Sequence, residues 1–298
     1  MYQSHFGLHD VPFGITPDTS FFFSFGSHRE ALNTLMIAAK SGEGFIKITG
    51  EVGTGKTLLC RQFLKSLGDD FVTAYIPNPF LEPRTLLLSL ADDLGIPHEK
   101  GAEQHEVLKA INQRLLEYAK NGKRVLLCID EAQALPIETL EAIRLLSNLE
   151  TEKRKLLQIV LFGQPELDRR LDRDDIRQLA QRISFHYRLR PLNLDETSFY
   201  LTHRLRVAGY GDVRLFSSFA ILLLWLGSAG IPRMTNILAN KAMMLAYGAG
   251  RKTVSARQVF SALRDTQAAP FFKKITTMGS YLALTIGALV LSYLFVVK

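Results

Sequence analysis

Two hydrophobic periods alternate along the first two thirds of the chain. Short runs at 45–49, 71–76, 124–129, 156–162 and 184–189 are apolar and rich in β-branched or aromatic residues, which predicts strands. Between them, apolar positions recur at helical spacing, as at Ala31, Leu32, Leu35 and Met36, and predict helices over 27–39, 58–67, 84–94, 103–120 and 137–149. The run at 124–129 is apolar on both faces, as a central parallel strand under two helical layers must be. Strands alternating with helices imply an α/β fold, a parallel sheet flanked by helices. Beyond Pro191 the pattern changes and only helices are expected, over 194–207, 216–226, 232–247 and 255–264. Asn193 with Glu196 forms a capping-box pair before the first of these, and Pro232 suits the first turn of the third. The lead-in, 1–18, is rich in Phe, His, Pro and Gly and reads as extended. The expected division is an α/β domain over 1–190, a helical lid over 191–266, a linker over 267–274 and a terminal apolar helix over 275–297.

That terminal segment changes the picture. From Ile275 to Val297 no residue is charged. About 23 helical residues reach roughly 34 Å, enough to cross a ~30 Å hydrocarbon core. Lys273 and Lys274 precede it, which places the preceding domains in the cytoplasm by the positive-inside rule. The expectation is a single-pass membrane protein; the alternative is a buried core helix. The stretch at 220–226 is too short to span and reads as core. The 298 residues carry a net charge of +7, scattered rather than clustered, so nucleic acid is not the expected partner. Two cysteines, Cys60 and Cys128, provide no metal spacing and fit a reducing compartment.

Chemistry concentrates at two strand ends. After the first strand, Gly50-Glu51-Val52-Gly53-Thr54-Gly55-Lys56-Thr57 fits the Walker A pattern at every fixed position, with Leu58 opening the next helix. A glycine-rich turn between strand and helix aims backbone N–H groups and a helix N-terminus at phosphate. Lys56 would reach the β- and γ-phosphates of a nucleoside triphosphate, and Thr57 would place its hydroxyl on Mg²⁺. After the third strand, Asp130-Glu131-Ala132-Gln133 supplies two carboxylates where an open α/β sheet binds ligands. Asp130 would hold Mg²⁺, and Glu131 would orient and deprotonate the attacking water. An acid after the metal-binding Asp favours hydrolysis over binding alone.

Further segments carry a resemblance. They are Gly163-Gln164-Pro165-Glu166-Leu167 after the fourth strand, Arg177 to Ile183 before the last, Gly230-Ile231-Pro232-Arg233 in the lid, and Phe6-Gly7-Leu8 with Pro12-Phe13 near the start. Together with the two motifs above they make residues 1–266 look like the ExeA/GspA-type AAA+ ATPases of bacterial envelope assembly. Within that family the short chain looks most like the ATPases of mannose-sensitive haemagglutinin pilus biogenesis. The resemblance implies that Gln164 is sensor 1, Arg182 the arginine finger acting in a neighbouring subunit (with Arg177 as the other candidate), and Arg233 sensor 2. It also implies that Phe6, Pro12 and Phe13 pack near adenine, and that the chain forms homo-oligomers through its nucleotide interface. The implied function is a membrane-anchored ATPase that drives or gates assembly of a type IV pilus or type II secretion-like machine, with inner-membrane assembly proteins as partners. The rival is a DNA-handling AAA+ regulator of the transposition type, which needs no membrane span.

Overall fold

Alternation in the strands decides which face of the sheet each residue meets, and through that where each helix packs. The structure, a computed structural model, describes residues 2–77, 79–99, 103–152, 154–173, 176–212 and 214–266. In chain order the elements are α1 (Gln3–Phe6), α2 (Gly26–Ser41), β1 (Phe45–Gly50), α3 (Lys56–Ser66), β2 (Phe71–Ile76), α4 (Pro83–Asp93), α5 (Gln104–Lys120), β3 (Arg124–Ile129), α6 (Ile137–Leu146), β4 (Leu157–Gly163), α7 (Glu166–Leu171), α8 (Arg177–Ala180), β5 (Phe185–Leu189), α9 (Leu194–Val207), α10 (Ser218–Ser228), α11 (Pro232–Gly248) and α12 (Ala256–Arg264). Short 3₁₀ turns occupy Thr19–Phe21 and Ala132–Ala134. The chain divides into two compact units, Pro17–Arg190 and the described parts of Met1–Thr16 with Pro191–Lys298.

The first unit is built on a five-stranded sheet in the order β2-β3-β4-β1-β5, parallel at every pairing. On one face Leu127, Ile129, Ile159 and Leu161 meet Leu86 and Leu90 of α4, Ile111 and Leu115 of α5, and Leu140 and Ile143 of α6. On the other, Ile46, Ile48, Leu126, Cys128, Val160 and Phe162 meet Ala31 and Leu35 of α2 and Leu59 and Phe63 of α3. The expected parallel sheet between helical layers is present, and β3 is buried on both faces as its composition required. Strand β1 differs, because Lys47 takes the place of an apolar residue and pairs with Asp168 at 2.6 Å. Cys60 and Cys128 are both buried and free, and burial pushes the Cys60 thiol well up, which leaves it unreactive.

In the second unit α9 opens with the expected capping box. Asn193 Oδ1 accepts from the Glu196 amide at 2.8 Å, and Glu196 Oε2 accepts from the Asn193 amide at 2.9 Å. Helices α10, α11 and α12 pack through Leu224, Leu238, Ala242, Met243, Val259 and Leu263, all fully buried.

Two expectations are corrected. Residues 1–18 are not extended throughout, for α1 forms and ends at Gly7, whose φ of 66° a residue with a side chain rarely adopts. Four residues carry no helical period, so the pattern could not reveal it. Residues 2–16, expected with the α/β domain, group instead with the helical unit. There Tyr2 donates to Asn240 Oδ1 at 2.5 Å, Asn236 to Gly14 O at 3.1 Å, and Phe13 meets Phe216 edge-on at 5.8 Å. Phe6 and Phe13 are buried in this core. Among the described residues no helix is long and apolar enough to cross a membrane. The expected linker, 267–274, and span, 275–297, lie outside the described residues.

The packing predicts a contrast between two phenylalanines. Phe63 is fully buried between α3 and the sheet, whereas Phe219 on α10 is 72% exposed. Phe63→Ala should destabilise the first unit by about 3–5 kcal/mol, and Phe219→Ala should stay within about 0.5 kcal/mol of the parent. Urea unfolding of the two variants checks the difference.

Candidate active site

Strand β1 ends at Gly50, and the chain curls before entering α3. Gly53 and Gly55 take φ of 82° and 96°, conformations open to glycine. At Gly50 a Cβ would lie 2.9 Å from Thr54 Oγ1 and 3.0 Å from Leu189 Cβ, so nothing larger fits. Thr54 is buried and its hydroxyl donates to Glu51 O at 2.8 Å, pinning the curl. His28 of α2 supports the loop from beneath, with Nε2 at 2.7 Å from Thr54 O. A single histidine 22 residues before Gly50 gave no sequence signal for that contact. Glu51 and Val52 are exposed at the tip, and Leu58 is half-buried on the first turn of α3.

Lys56 is 5% exposed, and its Nζ donates to Gly50 O at 2.8 Å and Glu51 O at 3.0 Å, carbonyls of its own loop and not a carboxylate. Burial pulls its ammonium below the usual lysine range, against the attraction of Glu131, Asp130, Glu51 and Glu166. Asp130 shows the converse. Burial raises its carboxyl above the usual range, although the Thr57 hydroxyl and the Glu131 amide both hydrogen-bond to it. A buried cation and a buried acid, each strained toward neutrality, fit a ligand that carries phosphate charge beside a divalent cation. Lys56 and the loop amides would hold the phosphates of ATP, and Thr57 with Asp130 would hold Mg²⁺.

Sheet order brings the third motif into register. Strand β4 lies between β3 and β1, so the residue after Gly163 stands between Asp130-Glu131 and the loop. That residue is Gln164, and its Nε2 donates to Glu131 Oε2 at 3.1 Å. Gln133 Nε2 donates to the same oxygen at 2.5 Å, while Gln133 Oε1 accepts from the Gln164 amide at 2.9 Å. Glu131 has φ of 51°, left-handed backbone that a non-glycine residue adopts at a cost. Burial pushes its carboxyl up, but the two amide donors and the Lys56 charge outweigh that, and the net position is below the usual glutamate range. Glu131 is therefore ionised at neutral pH, the state a proton acceptor needs.

Lys56, Thr57, Asp130, Glu131 and Gln164 thus converge. The three arginines are placed differently. Arg182 is half-buried just beyond α8, and its guanidinium donates to Ser147 Oγ at 2.5 Å at the end of α6. Arg177 is exposed on α8. Arg233 is exposed at the second position of α11, in the helical unit. Gln133 belonged to the acidic motif, but its type gave no role, since an amide after two carboxylates has many possible partners.

Comparison with known proteins agrees with this geometry. Residues 39–171 match the family described as AAA domain. Over 250 residues the chain is 41% identical to General secretion pathway protein A of Aeromonas hydrophila, which covers 84% of this chain and 46% of that protein. The chain therefore spans less than half the length of that relative. Among solved structures it resembles Cdc6p from Pyrobaculum aerophilum, with TM-score 0.64 at 20% identity over 83% of this chain and 70% of that one. It also resembles the ORC2 protein of Aeropyrum pernix in its ADPNP-ADP complexes, with TM-score 0.62 at 19% identity over 85% and 72%. At such identities the likeness is one of fold.

Removing the loop cation should remove nucleotide. Lys56→Ala leaves the phosphate charge without its buried counter-charge, and ATP affinity should fall by at least ~100-fold, the order expected when a buried charge pair loses one member. Calorimetry with Mg·ATP on parent and variant measures the loss, and equal affinities would refute the assignment.

Proposed function

We propose that this chain, an AAA ATPase similar to General secretion pathway protein A, hydrolyses ATP to drive or gate the assembly of a secretion or pilus machine at the bacterial inner membrane. The observation that carries the ATPase part is the ionised Glu131, tied by hydrogen bonds to Gln164 next to the Lys56–Thr57–Asp130 cluster. Glu131 accepts a proton from the attacking water. Gln164 stands between that water and the γ-phosphate, and Lys56 balances charge that builds on the phosphate oxygens. Mg²⁺ at Thr57 and Asp130 supplies further neutralisation of the phosphates when bound.

The 41% identity to a secretion-pathway protein supports the placement in envelope assembly. The uncharged segment at 275–297, with Lys273 and Lys274 before it, supports a single membrane anchor with the ATPase in the cytoplasm. Anchoring would hold the motor beside its membrane partners. Arg182 and Arg233 would serve as trans finger and lid sensor in an oligomer closed around nucleotide. Arg182 is half-buried and its guanidinium donates to Ser147 Oγ, a bond that an outward turn toward a neighbouring subunit would break.

Two outcomes check this reading. Glu131→Gln should bind Mg·ATP as the parent does yet turn over about 10²–10⁴-fold more slowly. In cells it should block assembly while co-purifying inner-membrane assembly proteins in an ATP-trapped state. Normal hydrolysis by the variant would assign the base elsewhere.

The finger is tested by mixing. Arg182→Ala alone should lose on the order of 10³ in rate, as trans-acting arginines contribute. Mixed with Lys56→Ala subunits it should regain activity, because one variant keeps the site and the other the finger. No gain in a mixture that co-assembles would move the role to Arg177 or into a single subunit.

A further inference from the structure

The two side-chain amides at Glu131 are not equivalent. Gln164 offers Glu131 one hydrogen bond, from Nε2 at 3.1 Å, and belongs to the loop leaving β4. Gln133 uses both ends of its amide. Its Nε2 donates to Glu131 Oε2 at 2.5 Å and its Oε1 accepts from the Gln164 backbone at 2.9 Å. One planar group thus ties the acid after β3 to the backbone of the residue after β4, two strands of the same sheet.

The backbone around Gln133 is itself held. Arg170 of α7 donates to Gln133 O and to Leu135 O. The turn Ala132–Ala134 starts at Glu131, in the left-handed conformation with φ of 51°. Gly163 leaves room for the amide, for a Cβ there would stand 3.4 Å from Gln133 Oε1 and 2.7 Å from Leu167 Cδ2. A Cβ at 163 would therefore collide with Leu167 while lying in contact with Gln133 Oε1.

We infer that Gln133 is a positioning residue for hydrolysis, fixing the Glu131 carboxylate by donation to one oxygen while its carbonyl holds the Gln164 backbone in step with it. Oε2 of Glu131 is committed to the amides, so Oε1 is the oxygen that faces the attacking water and takes its proton. When a γ-phosphate occupies the site, Gln164 Nε2 gains a stronger acceptor than the shared carboxylate and turns to it. Gln133 then keeps Glu131 aimed alone. The inference rests on the reading of Glu131 as the proton acceptor.

The test uses the full chain with Mg·ATP turnover, binding of a fluorescent ATP analogue, and thermal unfolding. Gln133→Met keeps the volume and removes both hydrogen bonds. Gln133→Glu keeps the acceptor for the Gln164 amide and removes the donor to Glu131. Both should lower kcat roughly ten- to hundredfold, the cost of a misplaced reacting group, with KM and analogue affinity within about twofold of the parent. Adding Gln133→Met to Glu131→Gln should slow that variant no further, because the effect passes through the Glu131 carboxylate. Parent-like turnover by Gln133→Glu would overturn the inference, as would a loss that appears in KM and unfolding temperature and not in kcat. Should Gln133→Met fail to fold, the isosteric Gln133→Glu carries the test. If Glu131→Gln itself hydrolyses ATP normally, the reading of the base falls; if Glu131→Gln is slow and Gln133→Glu is not, only the role of Gln133 falls.

Discussion

The ammonium of Lys56 sits almost wholly out of water, hydrogen-bonded among the described residues to two carbonyls of the loop that carries it. Burying a cation is costly, and the attraction of Glu131, Asp130, Glu51 and Glu166 offsets that cost only in part. The glycines at 50, 53 and 55 let the loop wrap the ammonium closely enough to supply those carbonyls. Asp130 carries the opposite strain, its charge disfavoured by burial a short distance away. Each group is unsettled alone. A phosphate chain with a divalent cation would relieve both at once, so binding of nucleotide would raise local order in this unit.

Sheet order extends that constraint outward. With β4 between β1 and β3, three strand ends deliver a cation, a carboxylate pair and an amide to one edge. A parallel sheet needs helices on both faces, and the crossover helices α3, α4, α5 and α6 provide them with fully buried leucines, isoleucines and Phe63. The core therefore fixes the site without contributing to its chemistry. Strand β1 is the exception, because its polar face places Lys47 against Asp168 of α7. That ion pair joins the strand that opens the phosphate loop to the helix that follows Gln164, tying the two sides of the site.

Much of this was legible in the sequence, and the reasons are physical. Apolar runs buried on both faces, a glycine loop before a helix and an Asp-Glu pair after a strand each encode their structure locally, so β1 through β5 and the residues Lys56, Thr57, Asp130 and Glu131 could be placed within a residue or two. What escaped was encoded non-locally or in too few residues. The helices α1, α7 and α8 have four to six residues each, shorter than two turns, and show no period. His28 and Gln133 depend on neighbours far along the chain, Thr54 and Gln164 respectively. The aromatic lead-in belongs to the helical unit, where Phe13 faces Phe216. Aromatic residues announce burial, but not which core receives them.

The left-handed backbone at Glu131 is held from several sides. A non-glycine residue in that region costs on the order of 1–3 kcal/mol and persists only where its surroundings over-determine it. Here the surroundings are explicit. The Glu131 amide is bound by Asp130 Oδ1 at 2.9 Å, and its carboxylate by Gln133 and Gln164. Relaxing the backbone would break the first bond and swing the carboxylate away from the other two. The strain thus converts one residue into a coupling between Asp130, which would meet the metal, and Gln164, which would meet the γ-phosphate. An acid held on ordinary strand geometry would project to one face of the sheet and reach only one of them.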